Sequence, residues 1–300
     1  MELIKKFKAV KRCKHGHSAL THPRCFDISG NVLEFKPPTL PKVLIFDIET
    51  APLRAFVFQK SVWGGNVGAD QVISEWFTLC WSAKWLFDDE VLSARLTPKE
   101  AKREDDSRIV KLLWKLLDEA DIVIAHNASG FDVPNMNTRL IVNKLPPTSP
   151  YQVIDTKQVA KRQFGFTHNS LNALANVFGF EAKMDTDFEL WKKCVAGDKE
   201  ALEYMETYNK GDVILLEKVY LKLRPWVKGH PNLNLYVESE NAVCTNCGSR
   251  DLELIDKKYF YTGSNKFPLY RCGGCGCYCR EKKSALPKKV SKNMLLTLSR

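Results

Sequence analysis

An α/β domain built on a mixed sheet between helices, followed by a small cysteine-rich module, is what this sequence predicts, and three observations predict it. Short runs of β-branched and bulky apolar residues alternate with stretches whose apolar residues recur every three or four positions. Two carboxylates, Asp47 and Glu49, interrupt one of those apolar runs near its end. Six of the ten cysteines fall between positions 244 and 279, where the apolar periodicity has ended.

The first run, Val43-Leu44-Ile45-Phe46-Asp47-Ile48-Glu49-Thr50, reads as a strand covered on both faces. Side chains two apart on a strand share a face, so Asp47 and Glu49 project together. Two anions side by side on a core strand repel, and a bound cation is the natural compensation; solvent at a strand end is the alternative. Residues 51–70 read as a loop. Residues 72–86 and 90–96 read as two strands joined at Asp88-Asp89, a hairpin extending the sheet antiparallel to the first strand. Behind an acidic start, Ile109, Leu112, Leu113, Leu116 and Leu117 have helical spacing, predicting a helix over 105–120, and 121–125 is a short buried strand.

That strand runs into a turn, His126 to Phe131, and a helix over 132–143. An acid here, Asp132, lies at the carboxyl edge of the sheet, where open α/β sheets carry ligands; alone, it would serve equally as a first-turn helix residue. A strand over 151–155 and helices over 156–163 and 171–178 follow. In Tyr204 to Leu216, Tyr208 and Asp212 are one helical turn apart, and Ile214, Leu215, Val219 and Leu223 suggest that this helix packs on the sheet.

These segments resemble, in order, the motifs of the DEDD superfamily of 3'-5' exonucleases, the DnaQ-like branch of the ribonuclease H-like fold. Phe46-Asp47-Ile48-Glu49-Thr50 resembles the first motif, His126-Asn127 through Phe131-Asp132 the second, and Tyr208-x-x-x-Asp212 the third. The tyrosine marks the DEDDy subgroup. In detail the resemblance, over about 41–226, is to proofreading domains of family-B DNA polymerases and to phage-type stand-alone relatives. It implies a ribonuclease H-like mixed sheet and 3'-5' hydrolysis of nucleic acid, with DNA favoured over RNA and single-stranded or frayed ends as substrate. It implies two Mg²⁺ or Mn²⁺ ions held by Asp47, Glu49, Asp132 and Asp212, with Tyr208 orienting the attacking water. A DNA polymerase or another replication protein is the implied partner, with proofreading or repair performed in trans. An RNA-directed or structure-specific nuclease is the alternative within enzymes. An inactive, zinc-dependent nucleic-acid adaptor is the alternative outside them.

Beyond Trp226 the composition changes. Cys244-x-x-Cys247-Gly248 and Cys272-x-x-Cys275-Gly276 are paired knuckles that resemble a zinc ribbon, with Zn²⁺ replacing a core too small to fold unaided. Cys277 and Cys279 are extra, as substitute ligands or free thiols. The expected organisation is a basic arm over 1–40, the nuclease domain over 41–228, the ribbon over 229–284 and a basic tail over 285–300. In the arm, Cys13 and Cys25 with two of His15, His17 and His22, taken as His17 and His22, offer a second zinc set; a polar loop is the alternative.

The net charge of +10 favours polyanions such as nucleic acid. A start without an apolar run, and no apolar stretch near the roughly 20 residues of a membrane span, predict a cytoplasmic protein with no membrane partner. Clustered cysteines in such a compartment point to metal rather than disulfides.

Overall fold

The computed structural model describes residues 41–58, 67–181, 186–236, 239 and 241–296. The arm over 1–40, with the zinc set proposed at Cys13, His17, His22 and Cys25, lies outside the described residues.

Five strands form the central sheet: β1 (Val43–Thr50), β4 (Thr78–Trp85), β5 (Leu92–Arg95), β6 (Ile122–Ala125) and β7 (Gln152–Asp155), in the order β5-β4-β1-β6-β7. β1, β6 and β7 run parallel, while β4 is antiparallel to β1 and β5 to β4. The hairpin turning at Asp88-Asp89 therefore extends the sheet as the sequence predicts. Residues 72–86 are not one strand, however. β3 (Val72–Ser74) pairs with β2 (Arg54–Ala55) in a separate two-stranded ribbon. The break falls at Glu75 and Trp76, where the chain leaves one sheet for the other.

Alternation along β1 splits the core into two layers. Leu44, Phe46 and Ile48 pack with Ile109, Leu113 and Leu117 of α2 (Ser107–Glu119) and with Met136 and Leu140 of α3 (Asp132–Val142). Val43 and Ile45 pack with Leu174 of α5 (Leu171–Phe178) and with Val213, Leu216 and Val219 of α7 (Lys199–Leu223). Each such buried aliphatic or aromatic side chain contributes about 1.5–3 kcal/mol through water release. Asp47 and Glu49 continue the second set, so they emerge on the side that α7 covers.

α4 (Thr156–Gln163) matches expectation, whereas α1 (Pro98–Arg103) and α6 (Phe188–Val195) are short helices that the apolar spacing did not reveal. α7 is longer than Tyr204–Leu216, and its Ile214 faces solvent, unlike Leu215, Val219 and Leu223. Asp198 caps α7 by accepting from the Ala201 amide.

Two buried polar clusters hold the helices that carry the candidate site. Asp106 accepts from the Thr78 amide at 2.8 Å, from Arg139 Nε and Nη2 at 2.7 and 2.8 Å, and from Asn143 Nδ2 at 2.9 Å. It thus fastens α3 to the start of β4, and removing one partner of so buried a pair costs about 3–5 kcal/mol. Lys84 of β4 bonds Glu217 of α7 at 2.5 Å, and Glu217 also accepts from the Phe87 amide.

The C-terminal module has a three-stranded sheet, β10-β9-β8, of β8 (Leu252–Tyr261), β9 (Lys266–Cys272) and β10 (Tyr278–Arg280). It is tied to the larger domain: Asn246 Nδ2 donates to the Arg224 carbonyl, and the Leu233 amide to the Thr245 carbonyl. A four-residue helix, α8 (Lys288–Ser291), follows.

Candidate active site and metal centres

β1 ends in a pairing irregularity against β4 between Glu49 and Thr50, which releases the strand from the sheet just past the two acids. Opposite them, α7 presents an inward stripe: Met205, Asn209, Asp212, Val213, Leu216, Val219 and Leu223 are all buried. Most of the stripe is apolar because it covers the sheet. Level with the end of β1, Asn209 and Asp212 interrupt it with polar groups, and partly buried Tyr208 lies beside them.

One carboxylate oxygen from each of Asp47, Glu49 and Asp212 lies within 4.8 Å of the others. Three anions gathered so closely, two on a core strand and one 4 % exposed on a helix, form a set suited to a hard divalent cation. Asp132 stands outside this set but beside it. It is 1 % exposed, and burial first, then the nearby Asp47 charge, hold its carboxyl well above the usual carboxylate range. The amides of Asp132 and Ile48 offset this only in part, and neither carboxylate oxygen makes a hydrogen bond of full geometry. A buried acid in this condition fits a place where positive charge is to be added. All four sequence-predicted acids thus converge, and Tyr208 lies one turn before Asp212 on the same helix face.

The turn between β6 and α3 is built from the neighbouring strand. Asp155, at the end of β7, accepts from the amides of Asn127 at 3.2 Å, Ser129 at 3.0 Å and Gln158 at 3.1 Å. Asn127 has φ +80°, a left-handed conformation that an asparagine tolerates better than most residues. His126 braces the turn from below: its Nε2 lies 2.9 Å from the Asn169 carbonyl and its Nδ1 2.9 Å from Thr156 Oγ1. These bonds fix the first residue of α3, Asp132.

Sequence reasoning missed Asn209. It is fully buried, and its Nδ2 donates to Asp47 Oδ2 at 2.7 Å. The available signal was its place, four residues after Met205 and four before Val213, on a stripe where an amide is costly unless bonded. Cys80 and Cys194 are also buried near the acids; burial, with Glu49 nearby, raises the Cys80 thiol well above its usual range.

In the C-terminal module, the sulfurs of Cys244, Cys247, Cys272 and Cys275 lie within 4.8 Å of one another, with 3.6 Å between Cys244 and Cys275 and 3.5 Å between Cys247 and Cys272. A tetrahedral zinc with Zn–S near 2.3 Å requires edges of about 3.8 Å, so this thiol set fits the ion. Each knuckle closes on a glycine, Gly248 at φ +73° and Gly276 at φ +78°, whose amides bond back to the Cys244 and Cys272 carbonyls. A side chain there would strain both turns.

An apolar cavity of about 390 Å³ lies at the opposite end of the sheet, against Val43, Ile122 and Tyr220, away from the carboxylates. Next to the acids is an open cleft of about 310 Å³ lined by Thr50, Pro52, Phe188 and Trp191.

A family model described as RNase_H_2, of the RNase_H superfamily, matches residues 85–224. That stretch includes Asp132, Tyr208 and Asp212 and begins after Asp47 and Glu49. Among solved structures the chain is similar to a family B DNA polymerase from the hyperthermophilic archaeon Pyrobaculum calidifontis, with 16 % identity and a TM-score of 0.46. The similarity covers 78 % of this chain and 33 % of the polymerase chain, so the chain spans about a third of that protein's length. A comparison with curated proteins gives no match. The five-stranded mixed sheet, its flanking helices and the matched segment together make this a ribonuclease H-like fold.

Proposed function

We propose that this protein is a metal-dependent 3'-5' exonuclease that removes nucleotides from DNA, preferentially at single-stranded or frayed ends. The observation that carries the reading is the convergence of Asp47, Glu49 and Asp212 at the carboxyl end of β1, with buried Asp132 alongside. Mg²⁺ or Mn²⁺ ions would be held by Asp47, Glu49 and Asp212, with Asp132 acting from outside that set. When bound, such ions supply the positive charge that neutralises a phosphodiester undergoing attack and lowers the pKa of a water nucleophile.

The protein's own groups account for the rest. Asn209 Nδ2 donates to Asp47 Oδ2 and so fixes the orientation of that carboxylate. Tyr208, whose phenol is a hydrogen-bond donor and acceptor one turn before Asp212, is suited to orient the attacking water. In the hydrolysis the water oxygen bonds to phosphorus and the bond from phosphorus to the penultimate 3' oxygen breaks. A nucleoside 5'-monophosphate leaves and a new 3' hydroxyl remains. The cleft of Thr50, Pro52, Phe188 and Trp191 adjoins Glu49 and offers aromatic faces on which a terminal base can stack.

The ribbon, holding Zn²⁺, would retain the strand. Phe267, Arg271, Tyr278 and Arg280 share the face of its sheet opposite Cys272 and Cys279, and the Arg280 guanidinium lies over the rings of Phe260 and Phe267 at 5.4 and 4.2 Å. Exposed aromatics and cations together suit stacked bases and phosphates. A DNA polymerase or other replication protein remains the proposed partner, and the cytoplasm the proposed location. Among the described residues no helix is long and apolar enough to cross a membrane.

The test is a set of DNA and RNA strands, single and double, labelled at either end and incubated with Mg²⁺ or Mn²⁺. A ladder of 5'-labelled products shortening from the 3' end, with DNA degraded faster than RNA, is expected. Release of mononucleotides from the 5' end, or cleavage only at internal sites, would overturn the reading.

A further inference from the structure

The ribbon motif accounts for four thiols and leaves Cys277 and Cys279 unused. Both are buried, at 5 % and 8 % exposure, and they flank exposed Tyr278, Cys279 within β10 and Cys277 just before it, on the side away from the Tyr278 ring. That side faces Cys244. Cys277 Sγ lies 3.9 Å from Cys279 Sγ, which lies 3.9 Å from Cys244 Sγ, and all three sulfurs fall within 4.8 Å of one another. Cys244 therefore belongs to two thiol groups at once.

We propose that the module holds two thiophilic metal ions rather than one, the second bound by Cys277, Cys279 and a shared Cys244 thiolate. This inference rests on the zinc-ribbon reading and adds a second site to it. Two of the three edges, at 3.9 Å, match the edge of about 3.8 Å expected for tetrahedral thiolate zinc, and the third lies within 4.8 Å, so the three sulfurs suit one face of a tetrahedron. An oxygen donor suits the fourth corner, and Thr245 Oγ1 stands 3.4 Å from Cys279 Sγ.

Two further considerations support the assignment. The buried residues of this module's own core cluster are all cysteines, Cys244, Cys272, Cys277 and Cys279. A module with so little aliphatic filling, chiefly Val243 and Leu252, gains more from a second set of metal bonds than from two neutral thiols in contact. Charge is also balanced, since adding two thiolates and one divalent ion leaves the net charge of the cluster unchanged.

The test is zinc analysis of the full chain, purified without chelator, against the Cys277→Ser/Cys279→Ser double variant. The wild type should hold one more zinc per chain than the double variant. Equal zinc in the two proteins would overturn the second site. Cys247→Ser is the control for the parent reading: if it too holds as much zinc as the wild type, the ribbon itself fails. Because the double variant could lose the whole ribbon, the wild-type protein is also loaded with cadmium and observed by ¹¹³Cd NMR. Two thiolate-range resonances coupled through the shared sulfur are expected, and a single such resonance would rule the proposal out.

Discussion

The carboxylate site and the thiol cluster both gather side chains of the kinds that bind metals, yet they stand on opposite foundations. Asp47, Glu49 and Asp212 rest on a sheet and helix already held by two apolar layers that include Phe46, Ile48, Val213 and Leu216. The thiols have no such support, because buried cysteines are the core of their module. A site carried by a finished core can lose its ion and keep its shape, at the cost of repulsion among the acids. A site that is the core cannot. The lesson is that a metal spends its binding energy on chemistry where the scaffold is complete and on folding where it is not.

The largest expected effect tests the second half of that contrast. Structural zinc sites of this kind supply about 10–16 kcal/mol of apparent binding energy, which is also folding energy. Cys272→Ser should therefore unfold residues from about 244 to 280, seen as rapid amide exchange or proteolysis there. The sheet domain should keep its thermal transition. A protected ribbon in that variant would break the comparison.

The next effect is catalytic. Asp47→Ala and Asp212→Ala should each lower activity at least about a hundredfold while the protein stays folded, since even the outer partners of metal ligands are worth about 10- to 100-fold. Asn209→Ala, which frees Asp47 without removing it, should fall within that smaller range and raise the Mn²⁺ concentration needed for half-maximal rate. Tyr208→Phe should be milder than either acid variant. Near wild-type cleavage by Asp47→Ala at matched purity would eliminate this centre.

The smallest effect has the opposite sign. Because burial and Asp47 raise the Asp132 carboxyl above its unfolded value, the folded state holds that proton more tightly. Its unfavourable contribution is absent below the unfolded pKa near 3.9, and it grows as pH rises towards the folded value. In metal-free protein, Asp132→Asn should then raise stability by about 1 kcal/mol, roughly 2–4 °C in Tm, at pH 8 and by less near pH 4. Added Mn²⁺ should stabilise the wild type more than the variant. A variant that melts below the metal-free wild type at pH 8 would show that Asp132 is not strained by charge.

What the residues declared by themselves was whatever short-range periodicity encodes. The two-residue repeat placed Asp47 and Glu49 on one face of β1, the four-residue repeat placed Tyr208 and Asp212 on one side of α7, and the knuckle spacing placed Cys244 with Cys247 and Cys272 with Cys275. These follow from backbone geometry over a few residues and survive any tertiary context. The separation of β3 from β4 was hidden because an apolar run does not state which sheet its backbone joins. α6 was hidden because eight residues with Cys194 as their buried member leave too faint a stripe. Three further features were decided only by assembly. Asn209 meets Asp47 across 162 positions. The Asp132 carboxyl on α3 is raised by burial and then by the charge of Asp47 on β1. Cys279 reaches Cys244 across 35 positions. Each depends on a distance through space between elements far apart in the chain, and burial, charge coupling and shared ligation are functions of that distance alone.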